Sequence, residues 1–210
     1  MAGGLFVWGL DVYLMSMKFS LDWNCVIEVE ESRPQAQYVL GLVELHKRGE
    51  IEVGVFAASA SENNSSRRFP GSAATFLRRI EALGRSSLPV IPMPAVWGLS
   101  YWDFCYYVDD SFDAEMSNLW KVINPNLSYG IENNLPEGTE LTDELVQSKL
   151  LSKWRNCWCD VVSAYSHIHE QRDVFVTNNT RDFQRNDARL FKLGMKRIAT
   201  PKVAFELVSK

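Results

Sequence analysis

The sequence predicts a single α/β domain in which a mostly parallel sheet carries helices on both faces. Apolar-rich segments at Phe19–Trp23, Ile51–Ala58 and Asp173–Thr177 suit buried strands, and segments of helical periodicity lie between them. Strands that alternate with helices favour a parallel sheet. A chain of 210 residues that is 46% hydrophobic and 23% charged can enclose one sizeable core. We therefore expect one domain over residues 17–210, with two small domains as the alternative.

The first half of the chain contains two predicted helices. Ser32 suits an N-cap, Pro34 suits the first helical turn, and Gly49 suits the end of the same helix. A second helix is predicted over Ala73–Leu83. Residues 1–16 precede the first strand, and we expect them to be either an N-terminal extension or the first part of the fold.

The clearest helix is predicted over Leu151–Ile168. Its apolar side chains recur at intervals of three and four and define one buried face: Leu151, Trp154, Cys157, Trp158, Val161, Val162, Tyr165 and Ile168. Asp160 falls at the margin of that face, on the same edge as Lys153 and His167. A carboxylate in this position can be held by the core while it faces a cleft.

The remaining segments are shorter or less regular. A strand is expected around Val90 and a helix around Trp102, followed by a long loop over Val122–Thr142. A helix around Ala188–Leu193 that ends at Gly194, an apolar segment at Ile198 and a last helix from Pro201 complete the chain.

Composition excludes several classes of protein. No window reaches the roughly 18 apolar residues of a membrane helix. Four cysteines are too few and too irregularly spaced for a disulfide framework, so a cytoplasmic protein is expected. The pairs Cys157/Cys159 and His167/His169 lie on a predicted helix, where side chains two residues apart point to different sides, so a structural zinc site is not expected.

The net charge of −4 does not favour nucleic-acid binding by the whole surface, so any RNA contact must be local. Arg67, Arg68, Lys153 and Arg155 are the candidate RNA contacts. Solvated helix faces explain such basic residues more often than phosphate contacts do.

Four acidic residues are the candidates for chemistry. Asp22 ends the first strand, Glu62 follows the second, Asp160 lies on the helix margin, and Asp182 follows the strand Asp173–Thr177 together with Asn179. Ligands of parallel sheets bind beyond the carboxyl ends of the strands, where these residues can converge. Each also has an ordinary structural alternative: a turn or cap at Asp22, a solvated helix start at Glu62, an ion pair of Asp160 with Arg155 or Lys153, and an N-cap at Asp182.

The order of these residues resembles that of the PIN-domain (VapC-like) ribonuclease family. The segment Phe-Ser-Leu-Asp22-Trp-Asn24 is similar to the family's L-D-T-N opening, and Glu62 follows where the family places its second carboxylate. The segment starting at Asp160 (Asp-Val-Val-Ser-Ala-Tyr) resembles the D-x-x-I-A-A helix, and the segment Val174 to Phe183 resembles the V-T-x-D-x-x-F strand and loop. The resemblance covers residues 18–63 and 151–208, and residues 86–142 are expected to be an insertion.

The resemblance implies a metal-dependent endoribonuclease that hydrolyses RNA phosphodiester bonds at a Mg²⁺ or Mn²⁺ site. Asp22, Glu62, Asp160 and Asp182 would be its catalytic residues and metal ligands, and Asn24, Thr177 and Asn179 would be hydrogen-bonding groups behind them. This chain has Asn179 where many relatives have Asp, so the site is either shifted to Asp182 or weakened. The resemblance also implies a toxin of a toxin–antitoxin pair, with an antitoxin protein and a homodimer as partners.

Two other interpretations stay open. One is a catalytically weakened PIN-like scaffold that binds RNA or a protein through the aromatic insertion, which contains Trp97, Tyr101 and Trp102. The other is a small-molecule-binding α/β domain, which the sequence favours least because it contains no Gly-rich phosphate loop.

Overall fold

A computed structural model describes residues 16–61, 77, 78, 80, 81, 88–96, 99, 100, 104–146 and 148–209. Strand β1 (Lys18–Leu21) leads into helix α1 (Trp23–Glu30). Helix α2 (Ala36–Lys47) and strand β2 (Glu52–Phe56) follow, and a short 3₁₀ helix at Ala57–Ser61 ends this part of the chain.

The second half begins with three two-residue strands, β3 (Val90–Ile91), β4 (Met93–Pro94) and β5 (Cys105–Tyr106). Helices α3 (Phe112–Ile123), α4 (Asp143–Val146) and α5 (Ser152–His169) come next. The last elements are β6 (Val174–Val176), α6 (Asp187–Phe191), β7 (Ile198–Ala199) and α7 (Pro201–Glu206).

The main sheet has five strands in the order β3-β2-β1-β6-β7, and every neighbouring pair is parallel. Leu21 at the end of β1 is in register with Val55 of β2 on one side and with Val176 of β6 on the other. Strands β4 and β5 form a separate parallel pair. The predicted α/β class with a central parallel sheet and flanking helices is therefore confirmed.

Side chains alternate between two cores because successive residues of a strand point to opposite faces of the sheet. Phe19, Leu21, Val53, Val55, Val174 and Val176 enter the core that includes α1, α2 and α7. Phe56, Ile91 and Phe175 enter the other core, which includes α3 and α5. Both faces of the sheet are covered, which explains why its strands are rich in apolar residues.

Three helices differ from the sequence-based expectation. Trp23 was expected to end the first strand, but the strand ends at Leu21 and Asp22 caps α1. Ser32, expected to cap the helix that ends before Gly49, instead lies in the turn between α1 and α2 with a φ of 50°, and Gln35 holds the N-cap position of α2. Part of the predicted loop Val122–Thr142 belongs to α3, which buries Met116, Leu119 and Trp120 against the second core.

Several expectations are confirmed. Helix α5 covers nearly the predicted range, β2 and β6 lie within the predicted strands, and Pro201 begins the last helix with Thr200 as its cap.

Residues 77, 78, 80 and 81 are helical, while the rest of Ala73–Leu83 and the region of Trp102 lie outside the described residues. Residues 1–15 also lie outside them. Of the helices that the structure describes, none has the length and apolar character required to span a bilayer.

Candidate active site at the carboxyl ends of β1 and β6

The centre of the sheet contains a topological switch point between β1 and β6. From β1 the chain builds the sheet outward through β2 and β3, and it then returns to the other side of β1 to add β6 and β7. Ligand sites of open parallel sheets lie beyond the carboxyl ends of the strands at such a point. Asp22 follows β1 directly, and Thr177 follows β6 directly, so both lie there.

The Asp22 carboxylate is 3% exposed and accepts three hydrogen bonds. Its Oδ1 accepts from the backbone N–H of Trp23 at 2.7 Å, which confirms the cap role considered for Asp22. Its Oδ2 accepts from the Thr177 hydroxyl at 2.6 Å and from the Asn24 side-chain amide. The same carboxylate therefore begins α1 and is attached to the end of β6.

Asn24 and Thr177 connect the two strand ends. The Asn24 amide also donates to the Thr177 oxygen at 3.0 Å, and its carbonyl oxygen accepts from the backbone N–H of Asn178 at 3.0 Å. The backbone N–H of Asn179 donates to the Thr177 oxygen at 2.9 Å. These contacts fit the supporting role predicted for Asn24 and Thr177, because they hold the Asp22 carboxylate in one orientation.

The hydrogen bonds limit what Asp22 can still bind. An ionised carboxylate has about four lone-pair positions. Three are occupied in Asp22, and both bonds from side chains go to Oδ2. Among the described residues, one position, on Oδ1, has no partner, so Asp22 can contribute a single oxygen to a cation.

Asp160 has a different environment. It lies on α5, is partly buried, and within the described part of the chain its carboxylate makes neither a hydrogen bond nor an ion pair. The ion pair with Arg155 or Lys153 that was considered for it is thus not formed among these residues. Both of its oxygens remain available to a ligand.

The charge of Asp22 acts on the Asp160 carboxylate. Burial, then the charges of Asp22 and Asp182, raise the pKa of Asp160 well above its ordinary value, while Arg181 opposes the shift. Burial also raises the pKa of Asp22, against the hydrogen bonds from Thr177, Trp23 and Asn24. Neighbouring carboxylates with raised pKa values are typical of functional sites, because uncompensated negative charge is costly for a fold to retain.

The carboxylate of Asp182, which also acts on Asp160, is held in place by residues of its own loop. Asn179 donates its amide to the Asp182 carboxylate at 3.0 Å and accepts from the backbone N–H of Asp182 at 3.2 Å. Arg181 forms an ion pair with the same carboxylate at 3.0 Å. Asn179 therefore positions Asp182, and the N-cap role considered for Asp182 is not observed, since Phe183 caps the 3₁₀ helix Gln184–Asn186.

The oxygen donors present are of the type that suits Mg²⁺. This ion is commonly bound by one or two carboxylates together with waters and substrate phosphates. Asp160 with two available oxygens and Asp22 with one satisfy that requirement. Across the residues that the structure describes, no group of three or more His, Cys, Asp or Glu side chains is arranged to hold a metal ion. A protein cage of three or more ligands is thus not present among these residues, and the fit rests on the Asp22–Asp160 pair.

The other predicted site residues are placed as follows. Glu62, Arg67 and Arg68 lie outside the described residues. Lys153 is exposed on the first turn of α5. Arg155 is 1% exposed and donates a hydrogen bond to the carbonyl oxygen of Val146, so the structure does not support the RNA contact predicted for it.

His167 shares an edge of the helical wheel with Asp160 but lies away from the acidic pair. It is fully buried, and its Nδ1 lies 2.9 Å from the Ser20 hydroxyl on the face of the sheet. Its ring packs edge-on against Phe175. His169, two residues later, is exposed, so the members of this histidine pair point to different sides.

Sequence reasoning assigned no role at this site to Arg181 or to Cys157. Burial, then the charges of Asp160 and Asp182, raise the pKa of the Cys157 thiol to about 11, while Lys153 and Arg181 lower it. Two anions and two cations thus act on one side chain of α5. The Asn-Thr-Arg-Asp order after β6, which places a cation directly beside the predicted ligand Asp182, was the signal that could have identified Arg181.

Comparison of the chain with protein-family models, with curated proteins and with solved structures finds no match.

Proposed function

We propose that this protein is a metal-dependent endoribonuclease of the PIN type, which hydrolyses RNA phosphodiester bonds at the acidic pair Asp22 and Asp160. The observation that carries the proposal is the buried Asp22 carboxylate, which is hydrogen-bonded across the ends of β1 and β6 and whose charge acts on Asp160, more than a hundred residues away in the chain. The position of Asp22 at the switch point of a parallel sheet, in the order β3-β2-β1-β6-β7, supports it.

Each residue of the site has a distinct part in the proposed reaction. Asp160 supplies the oxygens that no described neighbour occupies, and Asp22 supplies one oxygen in an orientation held by Asn24 and Thr177. Asp182 lies beside the pair, where Asn179 and Arg181 hold its carboxylate. Asn179 in place of an acid is thus compatible with a site that is shifted to Asp182.

Mg²⁺ or Mn²⁺ bound at the pair would lower the pKa of a water and neutralise charge on the scissile phosphate. The chain itself contributes orientation and electrostatics. Burial raises the pKa values of both carboxylates, so their ionised forms are unfavourable in the folded protein. A cation that the two carboxylates share would stabilise those ionised forms. Arg181 places a fixed positive charge beside Asp182, which reduces repulsion of an RNA phosphate.

The direct test is cleavage of RNA with Mg²⁺ or Mn²⁺ by the unsubstituted protein and by Asp22→Asn and Asp160→Asn. We expect each substitution to lower the rate by about a hundredfold or more, because an electrostatic group at the reacting phosphate is removed. Glu206→Gln is the matched control, since it makes the same acid-to-amide change at an exposed position of α7. Cleavage by both Asp variants at the rate of the control, or no cleavage by any protein, would remove the proposal.

A second candidate is a PIN-like scaffold that binds RNA or a protein without cleaving RNA. It is favoured by the lack, in the described ranges, of a group of three metal-binding side chains. Trp97, Tyr101 and Trp102 of its predicted binding surface lie outside those ranges. Calorimetry distinguishes the two candidates: no heat of Mn²⁺ binding, together with RNA binding that survives EDTA, would favour the scaffold.

The toxin role, the antitoxin and the homodimer remain proposals that depend on the nuclease assignment. A toxin of this kind would arrest growth when expressed alone in bacteria, and Asp160→Asn would abolish the arrest. Sedimentation of the purified chain measures the homodimer directly.

A further inference from the structure

A cavity of about 390 Å³ lies beside the acidic site. Its walls are the turn that follows α3, the first half of α5 and the loop after β6. Asp182 belongs both to the lining of this cavity and to the carboxylates that act on Asp160. A ligand in the cavity would therefore extend to the edge of the proposed reaction centre.

The wall formed by residues 124–127 is held in place by specific contacts. The indole N–H of Trp120 donates to the Leu127 carbonyl at 2.7 Å, and the backbone N–H of Asn124 donates to the Trp120 carbonyl at 2.7 Å. On the opposite wall, Asn186 donates its amide to the Asp182 carbonyl at 2.9 Å. The first wall is thus attached to α3, and the second is fixed by a hydrogen bond between two of its own residues.

Two cations line the cavity with their charged ends in solvent. The Arg181 side chain is 79% exposed although it pairs with Asp182, and Lys153 is exposed on the first turn of α5. Within the residues described, Lys153 makes no salt bridge. This arrangement suits a phosphate group, because Lys and Arg are the usual partners of nucleic-acid backbones.

The rest of the lining suits a nucleobase. Asn126 is exposed, and its amide makes no hydrogen bond among the described residues, so both its donor and its acceptor are available to a base edge. Ile123, Pro125 and Leu127 provide apolar surface beside it. Ligand cavities typically measure roughly 300–1,000 Å³, which allows a single nucleotide here and excludes a duplex.

We propose that this cavity is the subsite for one nucleotide of a single-stranded RNA substrate, next to the bond that is cleaved. Lys153 and Arg181 contact its phosphate, and the Asn126 amide contacts its base. That the substrate is RNA rests on the proposed function. The cavity would bind the nucleotide next to the cleaved bond and so position that bond at Asp22 and Asp160.

The test measures binding of a short, fluorescently labelled, single-stranded oligoribonucleotide by anisotropy, at several salt concentrations. The protein carries Asp160→Asn, so that the RNA stays intact with Mg²⁺ present. Lys153→Ala and Asn126→Ala are added separately to this background, and Lys202→Ala is the control, because Lys202 is an exposed cation on α7 at the other face of the sheet. All three positions are exposed, so unchanged melting temperatures verify that the variants fold.

We expect Lys153→Ala to weaken binding about tenfold and to reduce the slope of log affinity against log salt by about 0.7, the value for one lost phosphate contact on a single strand. Asn126→Ala should weaken binding about fivefold without changing the slope, and by different amounts for oligonucleotides of different base, since a lost base contact carries no counterion release. Affinity equal to the Lys202→Ala control for either variant would overturn the subsite.

Cleavage and binding measured on the same proteins distinguish failure of the nucleotide subsite from failure of the nuclease assignment. Cleavage by the protein with intact Asp160, combined with control-like binding by the Lys153 and Asn126 variants, would overturn the subsite and leave the nuclease. Binding that depends on Lys153 and Asn126, combined with no cleavage in Mg²⁺ or Mn²⁺, would overturn the nuclease and leave an RNA-binding cavity.

Discussion

The hydroxyl of Thr177 donates a hydrogen bond of 2.6 Å to the carboxylate of Asp22, across 155 residues of sequence. The bond joins the carboxyl ends of two adjacent parallel strands, β1 and β6. It lowers the pKa of Asp22, against the larger effect of burial. One buried hydroxyl therefore contributes both to the orientation and to the pKa of a proposed metal ligand.

Replacing Thr177 with Val tests this relationship. The side chain keeps its shape but loses the hydroxyl, so the pKa of Asp22 should rise and the carboxylate should rotate more freely. We expect about a tenfold to hundredfold loss of RNA cleavage, the usual effect of removing a group that orients a ligand. The acid limb of the pH–rate profile should move to higher pH.

Thr177→Ser is the control, because it keeps the hydroxyl. It should retain most of the activity and the position of the acid limb. A Val variant with the pH profile of the unsubstituted protein would show that the hydroxyl does not act on the reactive carboxylate.

Asp160→Asn should make the protein more stable without added metal. The pKa of Asp160 is raised above its ordinary value of 3.8, so the folded state favours the protonated form. The associated stability is fully present below that ordinary value and is lost as the pH rises through the raised pKa. At neutral pH the substitution removes the repulsion, and we expect a gain of about 1–2 kcal/mol.

Thermal unfolding in EDTA measures this gain as a rise of about 2–4 °C for each kcal/mol. Glu206→Gln should leave the melting temperature unchanged. A lower melting temperature for Asp160→Asn than for the control would mean that the carboxylate stabilises the fold and that its ionisation carries no net cost.

His167 should make the free energy of unfolding fall as the pH is lowered, whereas the effect of Asp160 is to make it fall as the pH rises. Burial, with Arg172 and Lys196, lowers its pKa from 6.5 to about 3. The stability that depends on the neutral ring is present above pH 6.5 and is lost as the pH falls toward 3, by about 1.4 kcal/mol for each unit. Urea unfolding of the unsubstituted protein between these values should show this slope.

His167→Gln removes the titrating ring and should flatten the slope, whatever its effect on stability at neutral pH. Asn126→Gln is the control, because it changes an exposed side chain that does not titrate. Equal slopes for the unsubstituted and His167→Gln proteins would exclude the buried ring as the source of the acid sensitivity.

Gly194 should tolerate a side chain less well than other glycines with positive φ. Its φ is +108°, and a Cβ would lie 3.0 Å from Ile168 of α5. Gly138 has a φ of +77° and would place a Cβ in open space. We expect Gly194→Ala to cost about 2–3 kcal/mol and Gly138→Ala about 1 kcal/mol of unfolding free energy. Equal costs would mean that the contact with Ile168 relaxes freely.

Much of the fold could be predicted because local patterns and tertiary packing agree. The apolar repeat of α5 identified its buried face, and Pro201 marked the start of α7. Helix α1 was missed because it follows β1 without a break and its residues Val26, Ile27 and Val29 also suit a strand. The Asp22 cap was the available signal, and the sequence offered it only as one alternative.

The sequence indicates which acidic residues follow strands, but it does not give the contacts that these residues make. Asp22, Thr177 and Asp182 follow strands, so the rule for parallel sheets brings them together. The sequence could not show that Thr177 bonds directly to Asp22, that Asn179 holds Asp182, or that the fold encloses Arg155. Those contacts depend on the register of β1 against β6 and on the angle of α5, which no local pattern encodes.

Asp22 and Asp160 are proposed to share one divalent cation, and a Mn²⁺ titration followed by the electron paramagnetic resonance signal of the free ion measures that sharing. The unsubstituted protein and Glu206→Gln should remove the free-ion signal with the same affinity, and the affinity should rise with pH as the two carboxylates lose their protons. Asp160→Asn should leave the free-ion signal unchanged at equal protein concentration. Binding of Mn²⁺ by Asp160→Asn with the affinity of the control would rule out a shared cation at this pair.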